Sequence, residues 1–187
     1  DASGKSLNFM AQKYGNLVGG SADLAGPNKT VLKDCDGIFN PQNRTGRTIE
    51  FGIREFAMSA VVSGMNLHGG LRPFCATFLV FADYLRAQLR VAALMNLPNI
   101  YVLTHDSIYV GEDGPTHQPV ETLSSLRAIP NVQVLRPADA QETLEAWKMA
   151  YESKNHPVCI ALTRQAIQGF AKADKDWKNS IRKNGAY

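Results

Sequence analysis

The run from His105 to Pro119 combines residue types that could do chemistry. Its sequence, HDSIYVGEDGPTHQP, holds two histidines, three acidic residues, two glycines and two prolines. A hydrophobic core requires none of them. Glycine and proline fix an irregular backbone path, and long ordered loops inside compact domains are usually functional. The run therefore predicts a functional loop.

The side chains of this loop allow more than one chemistry. His105, His117 and Asp113 could bind a metal ion as in a metal hydrolase, but the sequence lacks the HxH and HExxH spacings of such sites. The two histidines could instead be struts that hydrogen-bond within the loop. Stoichiometric zinc in the purified protein would support the hydrolase hypothesis.

Other candidate residues come directly after predicted strands. In chain order they are Asp23, Arg54 with Glu55, Phe78 leading to Phe81 and Tyr84, His105, Arg136 and Arg164. In open parallel sheets, ligands bind outside the carboxyl ends of the strands, where loops and helix N-termini converge. We therefore expect acids, histidines, arginines and aromatic rings on one rim. Such a rim suits a small phosphorylated ligand with a flat ring.

Each candidate also has a structural interpretation. A lone Glu55 in a first helical turn commonly complements the helix dipole. Aromatic residues at helical spacing, here Phe78, Phe81 and Tyr84, are more often core than a platform for a ring. Arg136 and Arg164 could be solvated or paired within the fold. These interpretations would have to hold at every strand end, and they leave the loop unexplained.

Strands and helices alternate along the chain. Strands are predicted at 17–20, 48–51, 72–77, 100–104, 132–135 and 158–162, and helices at 3–14, 56–65, 81–93, 121–129 and from Asp139, with Glu142 as its capping partner. The apolar face of the second helix is predicted to consist of Phe56, Ala57, Ala60, Val61, Gly64 and Met65. Residues 25–46 are rich in Gly, Pro, Asn and Asp and should be irregular surface. The alternation predicts an α/β fold, with three α/β/α layers and a mostly parallel sheet.

Length and composition favour one domain that binds a small molecule. The chain has 187 residues, is 44% hydrophobic and carries a formal net charge of +3 from dispersed charges. Neither nucleic acid nor a membrane is an expected partner. Three distant cysteines favour neither a disulfide framework nor a zinc site, and no signal peptide is visible, so we expect a cytoplasmic protein. The lysine-rich tail over 166–187 resembles a linker.

Four motifs resemble the transketolase family. They are Gly19-Gly20-Ser21-Ala22-Asp23-Leu24, Phe51-Gly52-Ile53-Arg54-Glu55, Thr77-Phe78-Leu79 followed by Phe81 and Tyr84, and the His105–Pro119 run. The resemblance implies the pyrimidine-binding domain of the thiamine-diphosphate-binding fold over 1–165, with 166–187 as a linker towards a C-terminal domain. The start at Asp1 suggests an excised segment that lacks the family's diphosphate-binding domain.

The same resemblance implies roles at the cofactor. Glu55 would be catalytic, because the family's glutamate hydrogen-bonds a ring nitrogen of the aminopyrimidine of thiamine diphosphate and favours the imino tautomer. Phe78, Phe81 and Tyr84 match the aromatic pocket for the pyrimidine. Asp23 matches a position near the thiazolium. A divalent metal, magnesium or calcium, would be bound by the other domain.

Further roles concern the substrate and the partner subunit. Asp113 and His117 match catalytic groups that hydrogen-bond substrate hydroxyls, and His105 and Arg164 match contacts to the sugar phosphate. The activity implied is transfer of a two-carbon ketol unit between sugar phosphates in the pentose phosphate pathway, by a homodimer whose cofactor lies between this domain and the diphosphate-binding domain of the other subunit. The isolated chain should be inactive.

The chain departs from the family pattern at three positions, and two related hypotheses remain open. Phe56 stands where many members have His, Tyr109 where Gly is common, and Pro27 where a Ser often donates to the substrate phosphate. The first alternative is a dihydroxyacetone synthase. The second is a non-catalytic binding or dimerisation module of the same fold, which need not bind thiamine diphosphate.

Overall fold

The computed structural model describes residues 1–187, and its centre is one six-stranded sheet. The strands are β1 (Leu17–Ser21), β2 (Thr48–Glu50), β3 (Arg72–Phe78), β4 (Ile100–Thr104), β5 (Gln133–Leu135) and β6 (Val158–Ala161), in the order β2-β1-β3-β4-β6-β5. Every neighbouring pair is parallel. All six carboxyl ends therefore lie along one edge of the sheet, as predicted.

Helices cover both faces of the sheet, so the predicted α/β fold is confirmed. They are α1 (Ala2–Lys13), α2 (Ala25–Asn28), α3 (Glu55–His68), α4 (Ala82–Leu94), α5 (Thr122–Arg127), α6 (Ala140–Glu152) and α7 (Trp177–Asn184), with 3₁₀ helices at Leu79–Phe81, Ile108–Asp113 and Pro115–His117. Alternate side chains of β3 enter different cores: Phe74 packs with Leu7 and Trp147, whereas Cys75 packs with Met58 and Leu89. This alternation is the period-two pattern of a strand buried on both faces. No helix is long and apolar enough to cross a membrane.

The prediction of which α3 residues form the buried apolar face was wrong. Met58 and Val62 are fully buried towards the sheet, while Phe56 and Val61 are 54% and 48% exposed. Two serines share the buried face, and each satisfies its hydroxyl by a hydrogen bond: Ser59 with Tyr101 at 2.7 Å, and Ser63 with the backbone of Ser59 at 3.0 Å. Small hydroxyls can therefore replace apolar residues on the buried face. The exposed Phe56 and Val61 form an apolar stripe on the outward face of α3, called the outward stripe below.

Two segments have more structure than predicted. In the stretch 25–46, Asn28, Thr30, Leu32 and Cys35 are buried, so that part is not surface. The tail predicted as a linker contains α7, and Lys172 in the tail forms ion pairs with Asp139 and Glu142 at the start of α6. The role of 166–187 as a linker stays a prediction. The predicted capping pair of α6 is confirmed, since the Asp139 carboxylate accepts from the Glu142 backbone N–H at 3.0 Å.

The strand order also indicates where a ligand fits. The chain leaves β1 towards β2 on one side and leaves β3 towards β4 on the other, so the crossovers diverge between β1 and β3. A crevice forms beyond the carboxyl ends of two strands that diverge in this way. Asp23 follows β1 and Phe78 ends β3, and both therefore border it.

Candidate functional site

Glu55 lies at the start of α3 with its carboxylate held in place. The residue is only 7% exposed, and the Thr77 hydroxyl at the end of β3 donates to Glu55 Oε1 at 3.2 Å. The first helical turn also favours a negative charge. A buried carboxylate with a single side-chain donor retains acceptor capacity for a ligand. Glu55 is therefore oriented but not saturated.

Aromatic rings form a wall at the end of β3. Phe78 and Phe81 are stacked with centroids 6.0 Å apart, and Tyr84 continues the stack at 5.9 Å from Phe81. Phe78 is buried, whereas Tyr84 is 64% exposed, so the wall runs from the core to the surface. An outward-facing stack of this kind can hold a flat ring by offset stacking.

Both histidines of the loop contact this wall. His105 stacks on Phe78 with centroids 3.7 Å apart, and His117 meets Phe81 edge-on at 5.1 Å. The loop between them follows two short 3₁₀ helices and turns at Gly111 and Gly114, whose φ values of 80° and 76° suit glycine. The structure thus brings together Phe78, Phe81, Tyr84, His105 and His117.

The pKa of His105 is lowered from its ordinary value. Partial burial disfavours the charged imidazole, and the charge interactions with Arg164 and His117 act in the same direction, while Asp113 opposes them. A lowered pKa keeps the ring neutral at pH 7 in the absence of an anion. A phosphate group brought into the site would favour the protonated ring.

A cavity of about 290 Å³ lies beside His105. Arg164 and Pro27 contribute to its lining, as do Asp1 and the N-terminal residues of α6. The Arg164 side chain is exposed and makes one long contact, 3.5 Å from its Nη2 to Glu112 Oε1. An exposed pair of this length holds its arginine weakly, so Arg164 can turn towards an anion.

Two predicted rim residues, Asp23 and Arg136, lie apart from these contacts. The side chains of Asp23 and of the loop residue Asp113 are exposed and form no hydrogen bond or ion pair within the chain, although Asp113 is close enough to His105 to act on its pKa. Arg136 follows the structural interpretation, because its Nε donates to Asp106 Oδ2 at 2.5 Å. No three His, Cys, Asp or Glu side chains are grouped as ligands for a metal ion, so the metal-hydrolase hypothesis has no geometric support.

A buried polar chain that the sequence does not predict lies behind His105. Thr104 Oγ1 is 2.8 Å from His105 Nδ1 and donates to Asn28 Oδ1 at 2.5 Å. Asn28 Nδ2 in turn donates to Ser21 Oγ at 3.1 Å. The only hint in the sequence was an Asn shortly after Asp23, in a segment interpreted as surface.

These groups fit the aminopyrimidine of thiamine diphosphate. A flat heteroaromatic ring with ring nitrogens needs a stacking surface and a hydrogen-bonding partner such as a carboxylate. The Phe78 and Phe81 wall and the oriented Glu55 carboxylate supply both, and Thr77 joins β3 to Glu55.

Residues 1–169 match the family described as "Transketolase, pyrimidine binding domain". The chain belongs to this family. A transketolase of Treponema pallidum (strain Nichols) is 59% identical over 186 residues, which are 100% of this chain and 28% of that protein. The chain therefore spans about 28% of the length of that curated relative.

Solved structures agree with this membership. A transketolase of Pichia stipitis in complex with sedoheptulose-7-phosphate superimposes with a TM-score of 0.91 at 39% identity, covering 96% of this chain and 27% of that one. A second structure, described as a split gene transketolase in an inactive beta4 tetramer, has a TM-score of 0.72 at 31% identity and covers 92% of this chain and 53% of that one. The predicted family resemblance is confirmed.

Proposed function

We propose that this chain is the pyrimidine-binding part of a transketolase, which transfers a two-carbon ketol unit from a ketose phosphate to an aldose phosphate. The observation that carries the proposal is the buried Glu55 carboxylate, oriented by Thr77 beside the Phe78 and Phe81 wall in a chain of this family. Dihydroxyacetone synthase and a non-catalytic module have no observation in their favour.

Glu55 acts on a proton at the cofactor's pyrimidine ring. Thiamine diphosphate, when bound, supplies the carbanion chemistry. The Glu55 carboxylate shares a proton with a ring nitrogen, and its burial strengthens that hydrogen bond. The aromatic wall of Phe78, Phe81 and Tyr84 would stack on the ring and exclude water from it. Asp23, which follows β1 at the border of the crevice, would approach the thiazolium end.

The loop and the last strand bind the substrate. His117 and Asp113 hydrogen-bond the reacting hydroxyls, and His117 is positioned for this by its edge contact with Phe81. His105 and Arg164 bind the sugar phosphate, since both line the same cavity. Pro27 lines that cavity too and has no N–H or hydroxyl to donate, so the phosphate relies more strongly on His105 and Arg164.

A second domain completes the site. The residues above serve only the pyrimidine end of the cofactor and the substrate, so the diphosphate and its divalent metal need ligands from a diphosphate-binding domain of a partner subunit. The outward stripe of α3, with Phe56 and Val61, begins at the residue after Glu55. Its exposed apolar side chains suit the contact with a second copy in a homodimer. Tyr109, 68% exposed on the loop, is also free to meet the partner.

The proposal is tested by measuring ketol transfer with and without a diphosphate-binding domain. The isolated 187-residue chain should give no measurable transfer from a ketose phosphate, and the assembled protein should turn over with thiamine diphosphate and a divalent metal. The split gene transketolase in an inactive tetramer is a precedent in a related protein. Robust transfer by the isolated chain, or none by the assembled protein, would refute the proposal.

A further inference from the structure

We propose that Asn28 and Thr104 are positioning residues that hold His105 in the tautomer with its hydrogen on Nδ1, leaving Nε2 for the substrate phosphate. The inference rests on the proposed role of His105 at the phosphate and extends it to residues that do not touch the ligand. It is carried by the buried polar chain behind the imidazole.

The hydrogen bonds of this buried polar chain all run in one direction. Asn28 and Thr104 are 1% and 6% exposed, so neither can exchange its partner for bulk water. Asn28 donates through Nδ2 to Ser21 Oγ, which leaves Oδ1 as an acceptor for the Thr104 hydroxyl. A threonine hydroxyl has only one hydrogen. Because Thr104 gives its hydrogen to Asn28, it can only accept from His105 Nδ1.

The imidazole is fixed in other ways as well. His105 has a left-handed backbone with φ of 64° and stacks on Phe78 at 3.7 Å, so the ring cannot turn freely. Its Nε2 has no hydrogen-bond partner within the chain, and the residue lines the 290 Å³ cavity. With Nδ1–H tied to Thr104, a neutral His105 offers a lone pair at Nε2.

Because the neutral ring has a lone pair at Nε2, phosphate binding requires one proton that His105 Nε2 and a phosphate oxygen share. Either the imidazolium donates to a dianionic phosphate, or a monoprotonated phosphate donates to Nε2. The charged or titratable groups that act on the ring are Arg164, His117 and Asp113, and their combined effect with burial favours the neutral imidazole. The KM for a ketose phosphate should therefore rise with pH, by up to about tenfold per unit, while the KM for an unphosphorylated ketose stays level.

Three variants of the assembled protein test this linkage. Thr104→Val removes the acceptor for Nδ1–H, so the neutral ring can place its hydrogen on Nε2; we expect a KM for the ketose phosphate about fivefold higher at pH 6 and a flatter pH dependence. Asn28→Asp keeps the acceptor and adds a negative charge, which should raise the pKa of His105 and move the rise in KM about one pH unit upwards. The control is Thr30→Val: the Thr30 hydroxyl is 2.6 Å from Ser21 Oγ, at the end of the buried polar chain away from His105, and this isosteric variant should match the unchanged protein.

A structural role alone would give different results. If Thr104→Val raises KM equally for both ketoses, or gives a curve parallel to that of the unchanged protein, the inference is wrong. A downward move of the KM rise in Asn28→Asp contradicts it equally. These outcomes are read relative to the unchanged protein, so the phosphate's own titration cancels.

The tautomer is measured independently of activity. In the ¹⁵N spectrum of the assembled, histidine-labelled protein, Nε2 of His105 should have the shift of an unprotonated nitrogen at pH 8; the resonance is assigned by its loss in His105→Asn. A protonated Nε2 there overturns the inference. If no ketose is turned over at all, the proposed function fails, and this spectrum still decides the tautomer.

Discussion

The Thr77 hydroxyl donates to Glu55 Oε1 at 3.2 Å, which links the carboxyl end of strand β3 to the first turn of helix α3. Thr77 is fully buried at the end of β3, immediately before Phe78. One short segment therefore orients the carboxylate and begins the aromatic wall. The two parts of the proposed pyrimidine site are therefore linked through consecutive residues of β3.

Removing this hydroxyl should weaken the cofactor site without harming the fold. Thr77→Val keeps the shape of the side chain but leaves Glu55 without its donor, and we expect thiamine diphosphate affinity to fall about tenfold in the assembled protein. Titration calorimetry measures the change. Thr122→Val, at a buried threonine of α5, is the matched control and should bind normally; equal losses in both variants would rule out a specific role for Thr77.

The aromatic wall should contribute through Phe81. Phe81→Ala removes the middle ring of the stack, and we expect cofactor affinity to fall about tenfold, since aromatic stacking contributes about 0.5–1.5 kcal/mol beyond the area buried. The control is Phe9→Ala, which removes a half-exposed ring from α1. Unchanged affinity in Phe81→Ala would mean that the ring binds elsewhere.

The fold was predictable from the sequence because its signals are local. Uninterrupted apolar strands, such as Ile100–Thr104, alternate with amphipathic helices, and the Asp139 and Glu142 pair marks the start of α6. The face of α3 was not predictable in this way. Its buried serines are satisfied by partners such as Tyr101, 42 residues from Ser59, and an apolar pattern gives no sign of them.

The site was predictable in part for a similar reason. Residues at strand ends, such as Glu55 and His105, follow from the rule that parallel strands end on one edge. Their orienting partners do not. Thr104 meets Asn28 across 76 residues, and nothing in the composition of the 25–46 segment marks a buried amide. A polar group becomes an orienting partner only once the fold removes it from water.

The ion pairs of Lys172 with Asp139 and Glu142 should make stability depend on pH. Burial alone would raise the pKa values of Asp139 and Glu142, but hydrogen bonds that include those from Lys172 hold both below their ordinary values. Lys172→Met leaves two buried carboxylates unpaired, so the free energy of unfolding at pH 7 should fall by about 3 kcal/mol. Urea denaturation of the chain measures it.

The sign of the pH effect follows from the lowered pKa values. The stabilisation is complete above the unfolded carboxyl pKa of about 4 and is lost as the pH falls through the folded values. The difference between Lys172→Met and the unchanged chain should therefore shrink from pH 7 towards pH 3. Lys148→Met, which breaks a more exposed pair with Glu145, should cost less than about 1 kcal/mol. A difference that grows on acidification would contradict the assignment.

The outward stripe of α3 should hold the dimer. Phe56→Glu places a charge on this apolar surface, and we expect the dimer of the assembled protein to weaken by at least about 2 kcal/mol, or roughly thirtyfold in Kd. Analytical ultracentrifugation measures the change. Phe9→Glu, a similarly exposed phenylalanine on the opposite face of the sheet, should leave the dimer intact. Equal dissociation in both variants would place the interface elsewhere.

The most direct test of the proposed function is the turnover of Glu55→Gln in the assembled protein. Glutamine keeps the size and the contact with Thr77 but cannot share a proton with the pyrimidine ring. Ketol transfer from a ketose phosphate, with saturating thiamine diphosphate, should fall at least about a hundredfold while the thermal unfolding midpoint stays unchanged. Turnover within twofold of the unchanged protein would contradict the role of Glu55 and, with it, the proposed mechanism.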